Sequence, residues 1–375
     1  IIARAEMLAE LMRLRVGIAV AGAHGKTTTT SMIAVTLEHA GLDPTAVIGG
    51  RLSAFGSNAR LGQGQYMVVE ADESDRSFLR LSPAIAVITN LDREHLDAYG
   101  SFDRLVDAFV DFAERVPFYG AVVACVDDPA VRDLVGRVSR PAMTYGFADD
   151  ADVRGIDPVS DGQSARCEVR CRAKAGRRAV EGSIALQVPG RHALQNALAA
   201  VAVGLELDVP FDRIQSALAG FRGAERRYQT RGRAAGVTVI DDYGHHPTEI
   251  AAVLAAARGG EPTRIVAVFQ PHRYTRTRDL LDRFGPALAG ADVVVLTDIY
   301  AAGEAPIPGI TIDALADAVR PAVADLHVVA AIDDVPAMVA AIARDGDLVI
   351  TLGAGSIGAT GDRILHALTE REAKR

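Results

Sequence analysis

Two α/β domains are the fold this sequence predicts, and three observations lead there. Apolar strand-like runs alternate with helical stretches from about Val16 to Met143. A second series in the same style begins at Val237. The length of 375 residues also exceeds what one compact core usually holds. Residues 16–222 are read as one domain and residues 223–375 as another, with residues 1–15 as a leading linker segment. The stretch from Phe221 to Arg227 serves as the hinge.

The first strand runs Ile18 to Ala21 and the helix after it covers Ser31 to His39. Tyr66 to Val69 and Ala84 to Thr89 are buried strands that end on polar residues. Phe102 to Val116 is a helix, and Ala121 to Val126 is a strand closed by Asp127-Asp128-Pro129. From about Ala148 to Val188 short alternating runs (CEVRCRA, SIALQVPG) predict a small antiparallel sheet appended to the parallel one. Helices follow at His192–Leu205 and Phe211–Ala219. The second series contributes strands at Val237–Ile240, Ile265–Phe269, Val293–Leu296, His327–Val329 and Leu348–Leu352.

Composition narrows the function classes. Apolar residues make up 49% of the chain, yet no run reaches the ~20 needed to cross a bilayer, so membrane insertion is not expected. A net charge of −8 without a basic stripe argues against nucleic acid as a partner. Three cysteines, Cys125, Cys167 and Cys171, fit neither a disulfide framework nor zinc spacing and suit a reducing cytoplasm.

Positive charge is carried almost entirely by arginine, and Lys26 is the single lysine in the first 173 residues. It stands in Gly22-Ala23-His24-Gly25-Lys26-Thr27, between a buried strand and a helix. There the glycines let backbone N–H groups approach phosphate oxygens, and the helix N-terminus favours an anion. Lys26 would reach the outer phosphates, the Thr27 hydroxyl would take Mg²⁺, and Thr28 opens the helix beside them. The match is to a shortened phosphate-loop pattern, since Val20 occupies the place of the usual leading glycine. The bland alternative is a glycine turn with a solvated lysine, and the strand-then-helix context favours the phosphate loop over it.

Ligands of parallel sheets gather at the carboxyl ends of the strands. Glu70-Ala71-Asp72-Glu73-Ser74-Asp75 lies at one such end. Four carboxylates in six residues repel unless a cation is near, and Glu70, capping its strand, is the favoured ligand. His95, flanked by acids in NLDREHLD, ends the next strand. Imidazole is an unusual Mg²⁺ ligand on softness grounds, so the residues alone leave its role open. In the second series, Asp241-Asp242-Tyr243-Gly244-His245-His246-Pro247-Thr248 and Gln270-Pro271-His272-Arg273-Tyr274-Thr275-Arg276-Thr277-Arg278 occupy the tips of neighbouring strands. The three arginines there could clamp a carboxylate. Gly353-Ala354-Gly355-Ser356-Ile357-Gly358 matches a dinucleotide fingerprint in form. Only 17 residues follow it, so a tight strand-to-helix turn is the better account.

Taken together, AGAHGKTTTT, EADESD, TNLDREHLD, VDDP, GAERRY, DDYGHHPTE, FQPHRYTRTRDL and AGEAPIPG resemble the Mur ligases of bacterial cell-wall synthesis. Asn196, at the end of the stretch that begins GRH, belongs to the same likeness. DDYGHHPTE and FQPHRYTRTRDL point within that family to the branch that attaches L-alanine to UDP-N-acetylmuramate. The resemblance implies a phosphate-loop ATPase-like central domain and a Rossmann-like C-terminal domain that handles the amino acid. It also implies a preceding UDP-sugar domain, of which residues 1–15 would be the linker remnant. Lys26, Glu70, His95 and Asp242 are the implied catalytic set. Gly22, Gly25, Lys26, Thr27, Thr28, Asn196, Arg227 and Asp242 are implied to bind ATP. Thr27 and Glu70 would hold one Mg²⁺ and His95 a second. Tyr243, His245, Arg273 and Arg276 fall where the alanine and the muramyl carboxylate are handled. The family often has an asparagine after the histidine of GRH, where this chain has Ala193, so recognition of adenine is expected to differ. A related murein-peptide ligase, a phosphate-transferring ATPase or kinase, and a nucleotide-binding module without turnover are the rival readings. Self-association into a weak homodimer stays open.

Overall fold

A computed structural model describes residues 4–52, 56–173 and 179–374. Residues 1–3 of the expected linker and 174–178 of the expected antiparallel region lie outside it. The described residues fall into two compact units that part in sequence between Glu225 and Arg226, with Ser160–Gln163 belonging to the second.

The first unit is built on a ten-stranded sheet. Its strands are β1 (Val16–Ala21), β2 (Thr45–Leu52), β3 (Ser57–Arg60), β4 (Tyr66–Glu70), β5 (Ile85–Ile88), β6 (Ala121–Cys125), β7 (Ala142–Gly146), β8 (Val153–Ser160), β9 (Ala165–Cys171) and β10 (Val180–Leu186). They lie in the order β10-β9-β8-β7-β6-β5-β1-β4-β2-β3. β1 is central and pairs in parallel with both β4 (Val20↔Glu70) and β5 (Ala21↔Ile88), so the ends of three strands meet at one edge. The alternation of side chains along a strand feeds two cores. Ile18 and Val20 face one layer with α2 (Lys26–His39), α6 (Arg191–Glu206) and α7 (Phe211–Ala219). Ala19 and Ala21 face the other, with α1 (Arg4–Arg13), α4 (Phe102–Glu114) and α5 (Pro129–Val135). In that second layer the rings of Phe109 and Phe112 lie 5.0 and 5.1 Å from Phe78. Each such fully buried aromatic contributes about 1.5–3 kcal/mol of transfer free energy. Local signals agree with the ends. Ser101 accepts from the Arg104 amide at the start of α4, and Asp128 accepts from the Val131 amide with Pro129 opening α5.

The expected antiparallel strands are appended to the parallel sheet: β7 pairs in parallel with β8 (Tyr145↔Val153), which carries that sheet into the β9–β10 antiparallel pair. The hydrogen-bonding edge of β7 needed a partner, and β8 supplies it.

The second unit holds β11 (Gln229–Ala234), β12 (Val237–Asp242), β13 (Arg264–Phe269), β14 (Val293–Leu296), β15 (Leu326–Val328) and β16 (Asp347–Leu352), in the order β11-β12-β16-β13-β14-β15. All pairings are parallel except β11 with β12. α8 (Pro247–Arg258), α10 (Leu281–Leu288) and α11 (Ile312–Val319) cover one face, while α12 (Val335–Ile342) and α13 (Thr360–Ala373) cover the other. The short α3 (Leu96–Tyr99) and α9 (Tyr274–Asp279) sit at strand tips in the first and second units respectively. β11 escaped the sequence reading because QTRGRA is polar and lies at a half-exposed edge, with no apolar alternation to mark it. Gly353, at φ 143°, leaves β16 by the tight turn expected of the GAGSIG stretch. No helix among the described residues is long and apolar enough to cross a membrane.

Candidate active site

In the first unit the site begins where β1 ends. Gly22 (φ 136°) and Gly25 (φ 79°) turn the chain into α2. A Cβ on Gly25 would stand 2.6 Å from Asn196 Oδ1, so the glycine permits both the left-handed turn and the approach of the buried Asn196 from α6. α2 has no side-chain cap. The amides of its first turn are therefore available to an anion. Thr28 lies half-buried on that turn.

The loop is braced from β5. The Thr89 hydroxyl donates to His24 O (2.7 Å), and Asn90 both accepts from the His24 amide (2.8 Å) and donates to its carbonyl (3.0 Å). The His24 ring nitrogen Nε2 lies 3.0 Å from Asp92 Oδ2. The Lys26 ammonium donates to Gly22 O (2.6 Å), Ala23 O (3.1 Å) and Glu73 Oε1 (2.9 Å). Thr27 Oγ1 donates to Glu70 Oε1 (3.1 Å), while Glu70 Oε2 accepts from the Gly49 amide (2.7 Å). Three carboxylates, Glu70, Glu73 and Asp92, and one ammonium thus crowd one sheet edge.

Burial opposes the charge on Lys26, but Glu73, Glu70 and Glu94 outweigh it and hold the ammonium above its ordinary value. Glu73 is pushed up to about 7 by burial, with Lys26 pulling the other way. Ligand atoms of Glu73, Glu94 and His95 lie within 4.8 Å of one another. Glu73 Oε2 is buried with no hydrogen-bond partner. Two buried carboxylates and an imidazole at such range, one carboxylate oxygen unsatisfied, fit a hard divalent cation completed by outside oxygens. His95 adopts φ 54° as the residue before α3, a left-handed conformation uncommon outside glycine.

In the second unit Asp242 ends β12, buried. Its Oδ1 accepts from the Gly244 amide and its Oδ2 from the Tyr228 amide, both at 2.7 Å. Burial raises its pKa, against the pull of the Arg227 guanidinium and those two amides. That guanidinium lies 5.0 Å from the centre of the Tyr243 ring and 3.7 Å from Glu249 Oε1. Tyr243, His245, His272 and Tyr300 form a run of rings with successive centroids 5.4, 5.5 and 5.5 Å apart. Arg276 reaches the His272 ring (3.3 Å), and Arg273, at φ 72°, stands 3.9 Å from Glu304 Oε1. Burial, then His245, Arg276 and Arg273, lower His272 to about 4, so its ring is neutral near pH 7. This surface offers two guanidinium groups, a neutral imidazole and aromatic faces. Such a set suits a small zwitterion or a carboxylate.

Comparison with known proteins decides what the two units are. Residues 20–204 match the Mur ligase middle domain, and residues 226–355 match the domain described as Mur ligase, glutamate ligase domain. A curated UDP-N-acetylmuramate–L-alanine ligase of Trichlorobacter lovleyi is 51% identical over 371 residues, 98% of this chain and 80% of the relative. The enzyme of that name from Anaeromyxobacter dehalogenans is 52% identical over 372 residues, 99% and 80% of the two chains. The chain belongs to the Mur ligase family. Among solved structures, the UDP-N-acetylmuramate-alanine ligase of Thermotoga maritima superposes with a TM-score of 0.80 at 27% identity, covering 99% of this chain and 79% of that one. The MurF ligase of the same organism, solved in complex with ADP, shares the fold at 19% identity and a TM-score of 0.76. It covers 100% of this chain and 86% of its own.

Within this Mur ligase chain the structure brings Lys26, Thr27, Glu70, Gly25 and Asn196 together, and Asp242, Arg227, Tyr243, His245 and Arg276 likewise. Sequence reasoning missed Glu73 and Glu94. Of seven acids at two strand tips it preferred Glu70 as the residue that caps its strand. In fact Glu73 folds back to Lys26 through the turn after β4, where its carbonyl accepts from Arg76 N at 3.1 Å. His272 and Tyr300 were also missed. His272 was in plain view beside Arg273, whereas Tyr300 gave no local signal.

Proposed function

We propose that this Mur ligase joins L-alanine to the lactyl carboxylate of UDP-N-acetylmuramate at the expense of ATP. Residues 16–222 would hold the nucleotide and residues 223–375 the amino acid. The observation carrying the reading is identity of about half over nearly the whole chain to relatives bearing that activity in their names. The polar edge around Lys26 supports it.

The lactyl carboxylate attacks the γ-phosphorus of ATP, which gives an acyl phosphate and ADP. The Lys26 ammonium offsets charge spreading over the phosphoryl oxygens in a site largely shut from water. Gly22, Gly25 and the amides of Lys26, Thr27 and Thr28 would cradle the phosphates with Asn196 beside the loop, and the second unit would add Arg227 and Asp242 as nucleotide contacts of its own. Magnesium, when bound, would neutralise phosphate charge and polarise the phosphoryl oxygens. Thr27 and Glu70 would hold one ion. Glu73, Glu94 and His95 would hold another. The alanine amine then attacks the acyl carbonyl and phosphate leaves. Arg273 and Arg276 would fix the alanine and muramyl carboxylates, with Tyr243 and His245 walling the site.

The test is phosphate release by the full-length protein. It is expected only when ATP, Mg²⁺, UDP-N-acetylmuramate and L-alanine are all present, with one amide formed per phosphate. Release without the sugar nucleotide or without alanine would favour an ATPase or kinase. Acceptance of a murein tripeptide in place of alanine would favour the peptide-recycling branch.

A further inference from the structure

The cation cluster is made of residues from two separate loops, and one buried hydroxyl ties those loops together. Glu73 lies three residues beyond β4, while Glu94 and His95 lie beyond β5 and lead into α3. Tyr99 is the last residue of α3, four residues after His95, and is 2% exposed. Its hydroxyl donates to the backbone carbonyl of Glu73 at 2.6 Å. The ring packs in the core layer beneath the sheet edge, and the Arg76 guanidinium lies 5.4 Å from its centre.

We infer that Tyr99 is a positioning residue for divalent-cation binding: its hydroxyl fixes the spacing of Glu73 against Glu94 and His95. The inference rests on the assignment of that cluster to a cation. α3 is a single turn ended by Gly100 at φ 81°, with the left-handed His95 before it. Tyr99, an aromatic post anchored in the core and bonded to the opposite loop, ties that turn to Glu73. The Glu73 carbonyl also accepts from the Arg76 amide at 3.1 Å. Removing the Tyr99 hydroxyl therefore leaves the carbonyl one partner and loosens its position without orphaning it. Groups behind a metal's ligands commonly govern affinity in this way.

The experiment measures Mn²⁺ binding to the full chain directly, by the loss of the free-ion electron paramagnetic resonance signal, with no nucleotide present. His95→Asn, which tolerates the left-handed backbone, tests the cluster itself, and Tyr99→Phe tests the inference. The expected result is clear weakening in His95→Asn and roughly tenfold weaker Mn²⁺ binding in Tyr99→Phe, with the thermal midpoint of the metal-free protein little changed. His95-dependent binding that is as tight in Tyr99→Phe as in the parent overturns the inference and leaves the cluster standing. Binding insensitive to His95→Asn overturns the cluster assignment, and the inference with it. A Tyr99→Phe chain that does not fold also overturns the inference, because the hydroxyl then serves the core and not the site.

Discussion

The two units solve opposite electrostatic problems with opposite means. In the first, the decisive charges are taken out of water and answer one another. Lys26 and Glu73 have side chains 16% and 4% exposed and touch at 2.9 Å. In the second, Arg273 and Glu304 remain 44% and 22% exposed, 3.9 Å apart, and Glu304 is held by the amide and hydroxyl of Thr275, which donate to it. A buried cluster makes each charge expensive to remove but strong toward phosphate, since water does not screen it. An open arginine surface is cheaper to alter and can release and admit a small amino acid. The difference teaches where large and small mutational effects belong.

The largest effect falls in the buried cluster. Lys26→Ala should reduce turnover roughly a thousandfold or more, because it removes a preorganised cation from the phosphoryl group. It should also leave Glu73 buried without its partner, so phosphate-release kinetics and thermal unfolding are both expected to change. In the second unit, Arg276→Ala should raise the KM for one carboxylate substrate about 30-fold, the worth of one charge-assisted hydrogen bond, while the KM for ATP stays put. Equal effects of the two substitutions would erase the contrast between the units.

Gly25→Ala comes next. The backbone at φ 79° and the 2.6 Å approach to Asn196 Oδ1 leave no room for a methyl group. The expected cost is about 1–2 kcal/mol of stability from the left-handed turn alone, with a raised KM for ATP. Urea unfolding and a nucleotide titration separate the two.

The smallest effect concerns pH. His272 is held near 4 in the folded protein and has an ordinary value of 6.5 when unfolded. Between those values the unfolded chain binds a proton that the folded one refuses. Its contribution to stability is therefore fully present above about pH 6.5 and declines as pH falls towards 4. His272→Asn should flatten the dependence of urea midpoints on pH in that window, and an unchanged slope would remove His272 from the account.

The legible part of the molecule was the part encoded locally. Val16–Ala21, Gly22, Gly25 and Lys26 lie in one short stretch, so their pattern declares a strand, a loop and a helix start together. The same holds for the strand tip carrying Asp242, Tyr243 and His245. What stayed hidden depends on how chain folds back. Glu73 meets Lys26 across 47 residues, and Tyr300 meets His272 across an isolated bridge. The continuation of the sheet through β8 was hidden for the same reason, since pairing between β7 and β8 rests on an edge that composition does not mark. Even the cation cluster was half visible: its acids stood in the sequence, but their choice of partner was set by burial.

The account turns on the lactyl carboxylate being activated as an acyl phosphate at the Lys26 edge. UDP-N-acetylmuramate carrying a heavy-oxygen label in that carboxylate, turned over with ATP and L-alanine by the full-length protein, tests this by mass analysis of the phosphate released. The expected result is one labelled oxygen in each phosphate. Unlabelled phosphate formed alongside amide product would contradict it.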